Sequence, residues 1–166
     1  MLYQKSSRRA CSAIKEDMKV KYRKNIRLKD CDYTGNGYYF VTICADYKKS
    51  FFNNPQIREI VVAELALLVE RFSGLKIDYH VIMPNHVHMI FIFDDSQFSL
   101  SKVIQAFKSL TTLKAKRALQ LQKEQKLWQP NYYEHLIRNE KALSKIRNYI
   151  QNNPLVEKID WNKFDA

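Results

Sequence analysis

From residue 38 onward the apolar positions of this chain follow first a two-residue rhythm, then a 3.6-residue rhythm, and keep switching between them. Tyr38-Tyr39-Phe40-Val41-Thr42-Ile43-Cys44-Ala45 is dense in aromatic and β-branched residues and follows the turn signal Thr34-Gly35-Asn36-Gly37, so it predicts a strand. Pro55 suits the first turn of a helix, and Ile57, Ile60, Val61, Leu65, Leu68 and Phe72 recur at helical spacing until Ser73-Gly74 stops them. Leu75 to Met83 and His86 to Phe93 are two strand-like runs either side of Pro84-Asn85, which predicts an antiparallel hairpin. Ser99 can cap a helix reaching about Gln122, with Val103, Ile104, Phe107, Leu110, Leu113 and Leu119 on its apolar side. Tyr132 to Ile137 predicts a last strand, and Glu140 to Asn152 a last helix closed by Pro154.

The order β, α, β, β, α, β, then an extra helix, is that of an α+β, ferredoxin-like split βαβ unit. It predicts an antiparallel sheet with helices mainly on one face. Residues 31–166 read as one domain, with no internal repeat, behind a basic N-terminal arm of residues 1–30.

Charge sharpens the picture. The net charge is +11, and the first thirty residues carry seven of those charges, with ten Lys or Arg against three acids. An excess of this size points to a polyanionic partner, most often nucleic acid, although a merely solvated basic surface gives the same count. Cys11, Cys31 and Cys44 have neither metal spacing nor an even framework, which fits a reducing compartment. No apolar run approaches the roughly 20 residues that span a bilayer. The expectation is a soluble, cytoplasmic, nucleoid-associated protein without a membrane partner.

Two features carry chemistry. His86-Val87-His88 lies at the start of the second hairpin strand, and residues two apart on a strand project from one face, so both imidazoles can share a divalent ion. Two hydrogen-bonded structural histidines are the plain alternative. His80, on the neighbouring strand, reads as structural or surface rather than as a ligand. In the last helix Tyr149 and Asn153 are four apart and share a face, where a tyrosine hydroxyl could attack phosphorus and the Asn153 carbonyl could complete a His-His-Asn metal site. Packing for the tyrosine and a simple Asn-Pro helix stop remain the alternatives.

The chain resembles the HUH single-tyrosine transposases, and most closely their REP-associated tyrosine transposase branch within the insertion-sequence group. The resemblance runs from about Tyr22 to Trp161 and rests on ordered blocks: Arg27-Leu28-Lys29-Asp30-Cys31-Asp32-Tyr33, Gly37-Tyr38-Tyr39-Phe40-Val41-Thr42-Ile43-Cys44, Val81-Ile82-Met83-Pro84-Asn85-His86-Val87-His88, Phe107-Lys108-Ser109-Leu110-Thr111-Thr112, Trp128 to Glu140, and Ile146-Arg147-Asn148-Tyr149-Ile150-Gln151-Asn152-Asn153-Pro154. It implies that His86 and His88 bind a divalent metal ion, Mg or Mn, that Tyr149 is the nucleophile, and that Asn153 stands where a third ligand is placed, a position some relatives fill with Gln. The implied reaction is cleavage and rejoining of single-stranded DNA at hairpins through a 5′-phosphotyrosine link. Such chemistry keeps the bond energy in the covalent link and needs no nucleotide cofactor, in keeping with the absence of a Gly-rich phosphate loop.

For DNA contact the sequence offers Lys102, Lys108, Lys114 and Arg117 on the long helix, Arg138 near the presumed site, and the N-terminal arm. Trp128 and Tyr133 can stack on unpaired bases or pack in the core. The competing reading is a non-catalytic module that binds nucleic-acid hairpins on its sheet. Both a monomer and a homodimer are compatible with the sequence.

Overall fold

In the computed structural model the described residues are 36–122 and 124–152. The basic arm, Cys11, Cys31 and Asn153 therefore lie outside them. The described chain runs β1 (Gly37–Cys44), α1 (Pro55–Arg71), β2 (Leu75–Ile82), β3 (His86–Phe93), α2 (Leu100–Leu119), β4 (Tyr133–Ile137) and α3 (Glu140–Asn152), with short 3-10 turns at Asp46–Lys48 and Phe51–Asn53. The sheet order is β2-β3-β1-β4 and every neighbouring pair is antiparallel. β3 thus slots between β1 and β2, the split βαβ arrangement expected from the element order.

Local chemistry sets the element ends. The Asn54 side chain accepts from the N–H groups of Gln56 and Ile57, and Pro55 occupies the first helical position, where its missing N–H costs nothing. Ser99 Oγ accepts from Lys102 N, and Asn139 Oδ1 accepts from Ala142 N at 2.7 Å. α2 ends at Leu119 rather than Gln122 because Gln120 turns left-handed, with φ of 49°, and closes the last turn onto the Lys116 carbonyl. Gly74, at φ +76°, is required as glycine: a Cβ there would stand 2.5 Å from the Asp94 carbonyl oxygen.

Both faces of the sheet are covered. Tyr39, Val41 and Ile43 of β1 and Val87, Met89, Phe91 and Phe93 of β3 pack against Ile57, Val61, Leu65 and Leu68 of α1 and Val103, Ile104 and Phe107 of α2. Burying a side chain of this kind stabilises by about 1.5–3 kcal/mol, so this is the principal core. The alternate residues, Phe40 of β1, Ile90 of β3 and Ile137 of β4, meet Ala142, Leu143, Ile146 and Ile150 of α3 on the other face. Among the described residues the helices therefore divide two and one, with α3 on the side opposite α1 and α2.

A β-bulge adapts β2 to both faces. Ile77 pairs with Phe91 but Tyr79 pairs with Ile90, leaving Asp78 as the extra residue. Ile77 belongs with the α1–α2 core, whereas Tyr79 and Val81, beyond the bulge, pack with the α3 cluster. Trp128 is a core anchor and its ring is unavailable for stacking on bases: it is 5% exposed, its ring lies against Phe52 and Phe107, and its indole N–H donates to Thr111 Oγ1 at 2.7 Å. No helix among the described residues is long and apolar enough to cross a membrane.

Candidate active site

The β2–β3 turn is fixed from several sides. Met83 N donates to the His86 carbonyl, Phe52 N to the Pro84 carbonyl, Ala45 N to the Asn85 carbonyl, and Arg58 Nη1 to the Ile82 carbonyl, at 2.8 to 3.0 Å. His86, the first residue of β3, therefore starts from a rigid support. His86 lies across from Cys44, and His88 across from Thr42. Both share the parity of Ile90 and so face α3, and the His88 ring lies against Phe40 of that cluster, 5.4 Å between centroids. His80 pairs with Met89, whose side chain belongs to the opposite core, and is itself exposed, so it takes no part in the pair.

The two imidazoles point their Nε2 atoms at each other, 3.0 Å apart. Each Nδ1 is held by an oxygen: His86 Nδ1 donates to Asn85 Oδ1 at 2.6 Å, and His88 Nδ1 meets Thr42 Oγ1 at 2.8 Å. A carbonyl oxygen only accepts, so with both rings neutral His86 carries its proton on Nδ1 and leaves a lone pair on Nε2. That lone pair takes the N–H of His88 Nε2, and the Thr42 hydroxyl donates to His88 Nδ1. Desolvation by burial, and then the neighbouring His86, push His88 down to about 3, so it stays neutral through the physiological range.

This donor set fits a divalent ion. Two imidazole nitrogens at about 2.1 Å from one ion stand about 3 Å apart when they are adjacent ligands. The Thr42 hydroxyl can accept as readily as donate, so His88 can carry its proton on Nδ1 and free Nε2 for the ion. An oxygen partner on the far nitrogen is the usual support of a ligating histidine. Thr42 and Asn85 were not singled out from the sequence: Asn85 is visible as the neighbour of His86, but Thr42 is identified only by strand register. Among the described residues no group of three or more His, Cys, Asp or Glu is placed to hold a metal.

Tyr149 lies on α3, half-buried, and packs with the cluster of Phe40, Ile90, Ile146 and Ile150 on the same face as the histidines. Burial holds its hydroxyl above the ordinary tyrosine value, so it is protonated at neutral pH. The helix is tied to β2 by Arg147, whose Nε and Nη2 donate to the two oxygens of Asp78 at 2.7 and 2.6 Å. Glu140 adds a longer contact to Arg147 at 3.6 Å. Tyr133, opposite Thr42, packs on this face too.

The basic residues named from the sequence separate. α2 covers the opposite face of the sheet, so Lys102 and Arg117, both exposed, lie away from the histidine pair. Lys114 is spent on Glu64 of α1, a carboxylate wholly buried between the helices and shared with Arg71. Lys108 points its ammonium at the carbonyls of Gln129, Pro130 and Asn131, at 2.9, 3.2 and 3.0 Å, and lies over the Tyr132 ring. Burial pushes it down to about 8. Arg138 is exposed at the end of β4 that pairs with Tyr38, the far end of the sheet from His86.

Known proteins agree with this architecture. A protein of Haemophilus influenzae without assigned function is 30% identical to the chain over 170 residues, covering 85% of this chain and 93% of its own length. Two solved structures share the fold: a REP-associated tyrosine transposase bound to a REP hairpin, with a TM-score of 0.61, 21% identity and coverage of 81% and 72% of the two chains, and a transposase-like protein of Deinococcus radiodurans, with a TM-score of 0.50, 19% identity and coverage of 76% and 97%. Residues 33–153, which enclose β1, the histidine strand and the tyrosine helix, match the transposase IS200-like family, and the chain belongs to that family.

Proposed function

We propose that this protein cleaves and rejoins single-stranded DNA beside hairpins, with Tyr149 as nucleophile. The observation that carries the reading is the convergence of the His86 and His88 Nε2 atoms on the sheet face that α3, bearing Tyr149, covers. The structural relative bound to a REP hairpin supports a DNA hairpin as partner.

His86 and His88 would hold the divalent ion, Mg or Mn, and Asn153, four residues after Tyr149 in the sequence, would add an oxygen. Bound there, the ion polarises the phosphate and offsets the charge that develops on it. The chain's own residues do the remainder. Thr42 and Asn85 fix the two imidazoles. Arg147 and Asp78 fix the helix that presents the phenol. Tyr149 Oη loses its proton and attacks phosphorus, the bond from phosphorus to the 3′ oxygen breaks, and that oxygen leaves as a 3′-hydroxyl. The 5′ side remains on the tyrosine, and a 3′-hydroxyl reverses the step to join strands. In-line placement contributes more here than acid–base power.

The test uses single-stranded hairpins from the flanks of the gene, incubated with protein and Mn or Mg and then denatured. A metal-dependent covalent protein–DNA adduct that Tyr149→Phe abolishes, with hairpin binding retained, is the expected result. Adduct formation by Tyr149→Phe would show that another residue attacks, and tight binding with no adduct would make the protein a hairpin-binding module.

A further inference from the structure

Tyr47 sits where few tyrosines are found. It follows β1 at the end of the sheet where Cys44 lies opposite His86 and Ala45 N donates to the Asn85 carbonyl at 2.8 Å. Its backbone is left-handed, with φ 48° and ψ 25°, and Lys48 beside it is left-handed as well, at φ 53°. Two bulky residues in this region in succession are strained, because Cβ crowds the backbone. The surrounding hydrogen bonds impose the conformation: Asp46 N donates to the Leu127 carbonyl, Lys48 N to the Ala45 carbonyl, Lys49 N to the Asp46 carbonyl and Phe51 N to the Lys49 carbonyl, at 2.8 to 3.1 Å.

What the strain produces is an exposed ring. Tyr47 is 69% exposed, ahead of Val62, Leu113 and Val69 among the large hydrophobic side chains that the described residues leave in solvent. Those three lie on α1 and α2, whereas Tyr47 comes two residues after Ala45, whose N–H is bonded to Asn85 of the histidine turn. Lys48 and Lys49 follow it, the Lys49 ammonium 5.9 Å from the Phe51 ring, and Asp46 is the one acid of the loop. Phe52, five residues after Tyr47, is buried against Trp128 and anchors the loop in the core. An exposed aromatic ring followed by two lysines is suited to stack on an unpaired base, with cations nearby for the neighbouring phosphates.

We infer that Tyr47 stacks on one unpaired base of the DNA strand next to the phosphate held at the histidine pair, with Lys48 and Lys49 contacting its backbone. The inference rests on the proposed DNA reaction for the nature of the strand. Strain of this kind persists at binding sites because the contact it creates is selected over local stability.

The experiment measures affinity of the full chain, by fluorescence anisotropy, for a hairpin with a single-stranded extension and for the same hairpin trimmed blunt. 2-Aminopurine is placed at each unpaired position in turn. Tyr47→Ala is expected to weaken binding of the extended hairpin about tenfold, as loss of one base–aromatic stack does, and to leave the blunt hairpin unchanged. Quenching of one 2-aminopurine should disappear in Tyr47→Ala and remain in Tyr47→Phe. Equal losses on both hairpins, no loss on either, or Tyr47→Phe as weak as Tyr47→Ala would overturn the inference. The adduct assay, run on wild type in parallel, separates the two readings: an adduct with Tyr47-independent binding sinks only the stacking platform, and Tyr47-dependent quenching without any adduct sinks only the cleavage.

Discussion

Arg147 and Asp78 form a two-bond guanidinium–carboxylate pair that joins the third turn of α3 to the bulge of β2. The bulge is what makes the pair available: as the extra residue of β2, Asp78 escapes strict alternation with Ile77 and Tyr79. Tyr149 follows Arg147 by two residues, so the pair fixes the part of the helix that carries the phenol. Asp78→Ala and Arg147→Ala should each cost about 1 kcal/mol, a modest value because the guanidinium is partly in water. Chemical denaturation of both single variants and the double variant gives the coupling, and a cycle that sums to zero would show that the pair holds nothing. Adduct formation should fall more steeply than stability, with the exchanged pair Asp78→Arg and Arg147→Asp recovering part of it.

Thr42 makes a separate prediction about metal. It supplies the oxygen on His88 Nδ1, and with valine there the N–H that a ligating His88 must carry on Nδ1 would be buried without an acceptor. Thr42→Val should weaken Mn binding by about 10- to 100-fold in calorimetry, and Thr42→Ser should keep it. Equal affinity in all three proteins would show that the hydroxyl does not orient the ligand.

Much of this was legible in the sequence, and what was not has physical reasons. Strand and helix positions follow from periodicity and caps, and the histidine pair and the tyrosine stand out by spacing. The division of helices between two faces was not read, although the near-continuous apolar runs of β1 and β3 are the mark of strands buried on both sides. The bulge was hidden by the regular alternation of Leu75, Ile77, Tyr79 and Val81, which reads as one face and is two. Lysine identity alone says nothing of what an ammonium meets after folding: Lys108 and Lys114 look like phosphate contacts in the sequence and turn to carbonyls and to Glu64 in the fold.

His88 also sets a pH dependence. Its folded value is depressed from the ordinary 6.5 to about 3, so between these limits the unfolded chain binds a proton that the folded chain refuses. The stability it confers is complete above 6.5 and is lost as pH falls toward 3, at a slope of at most about 1.4 kcal/mol per pH unit. Thermal melts of wild type and His88→Gln from pH 7 to 4 check the sign. The variant should lose less stability over that range, and parallel curves would remove His88 as the source.

Lys108 and Lys102 occupy the same basic helix and should behave in opposite ways. The Lys108 ammonium has three N–H groups and three carbonyl partners on residues 129–131, so replacing it leaves those carbonyls short of a donor in a half-buried position. Lys108→Met should cost about 2–3 kcal/mol, whereas Lys102→Ala, on an exposed side chain, should cost less than about 0.5 kcal/mol. The DNA readout runs the other way. A lysine that neutralises a phosphate contributes about one unit to the salt dependence of binding. Lys108→Met should leave that slope unchanged, because its charge is directed at the chain's own carbonyls. A slope reduced by about one, in a variant shown by melting to be folded, would mean that Lys108 leaves the loop to meet DNA and that the 129–131 segment moves when the strand binds.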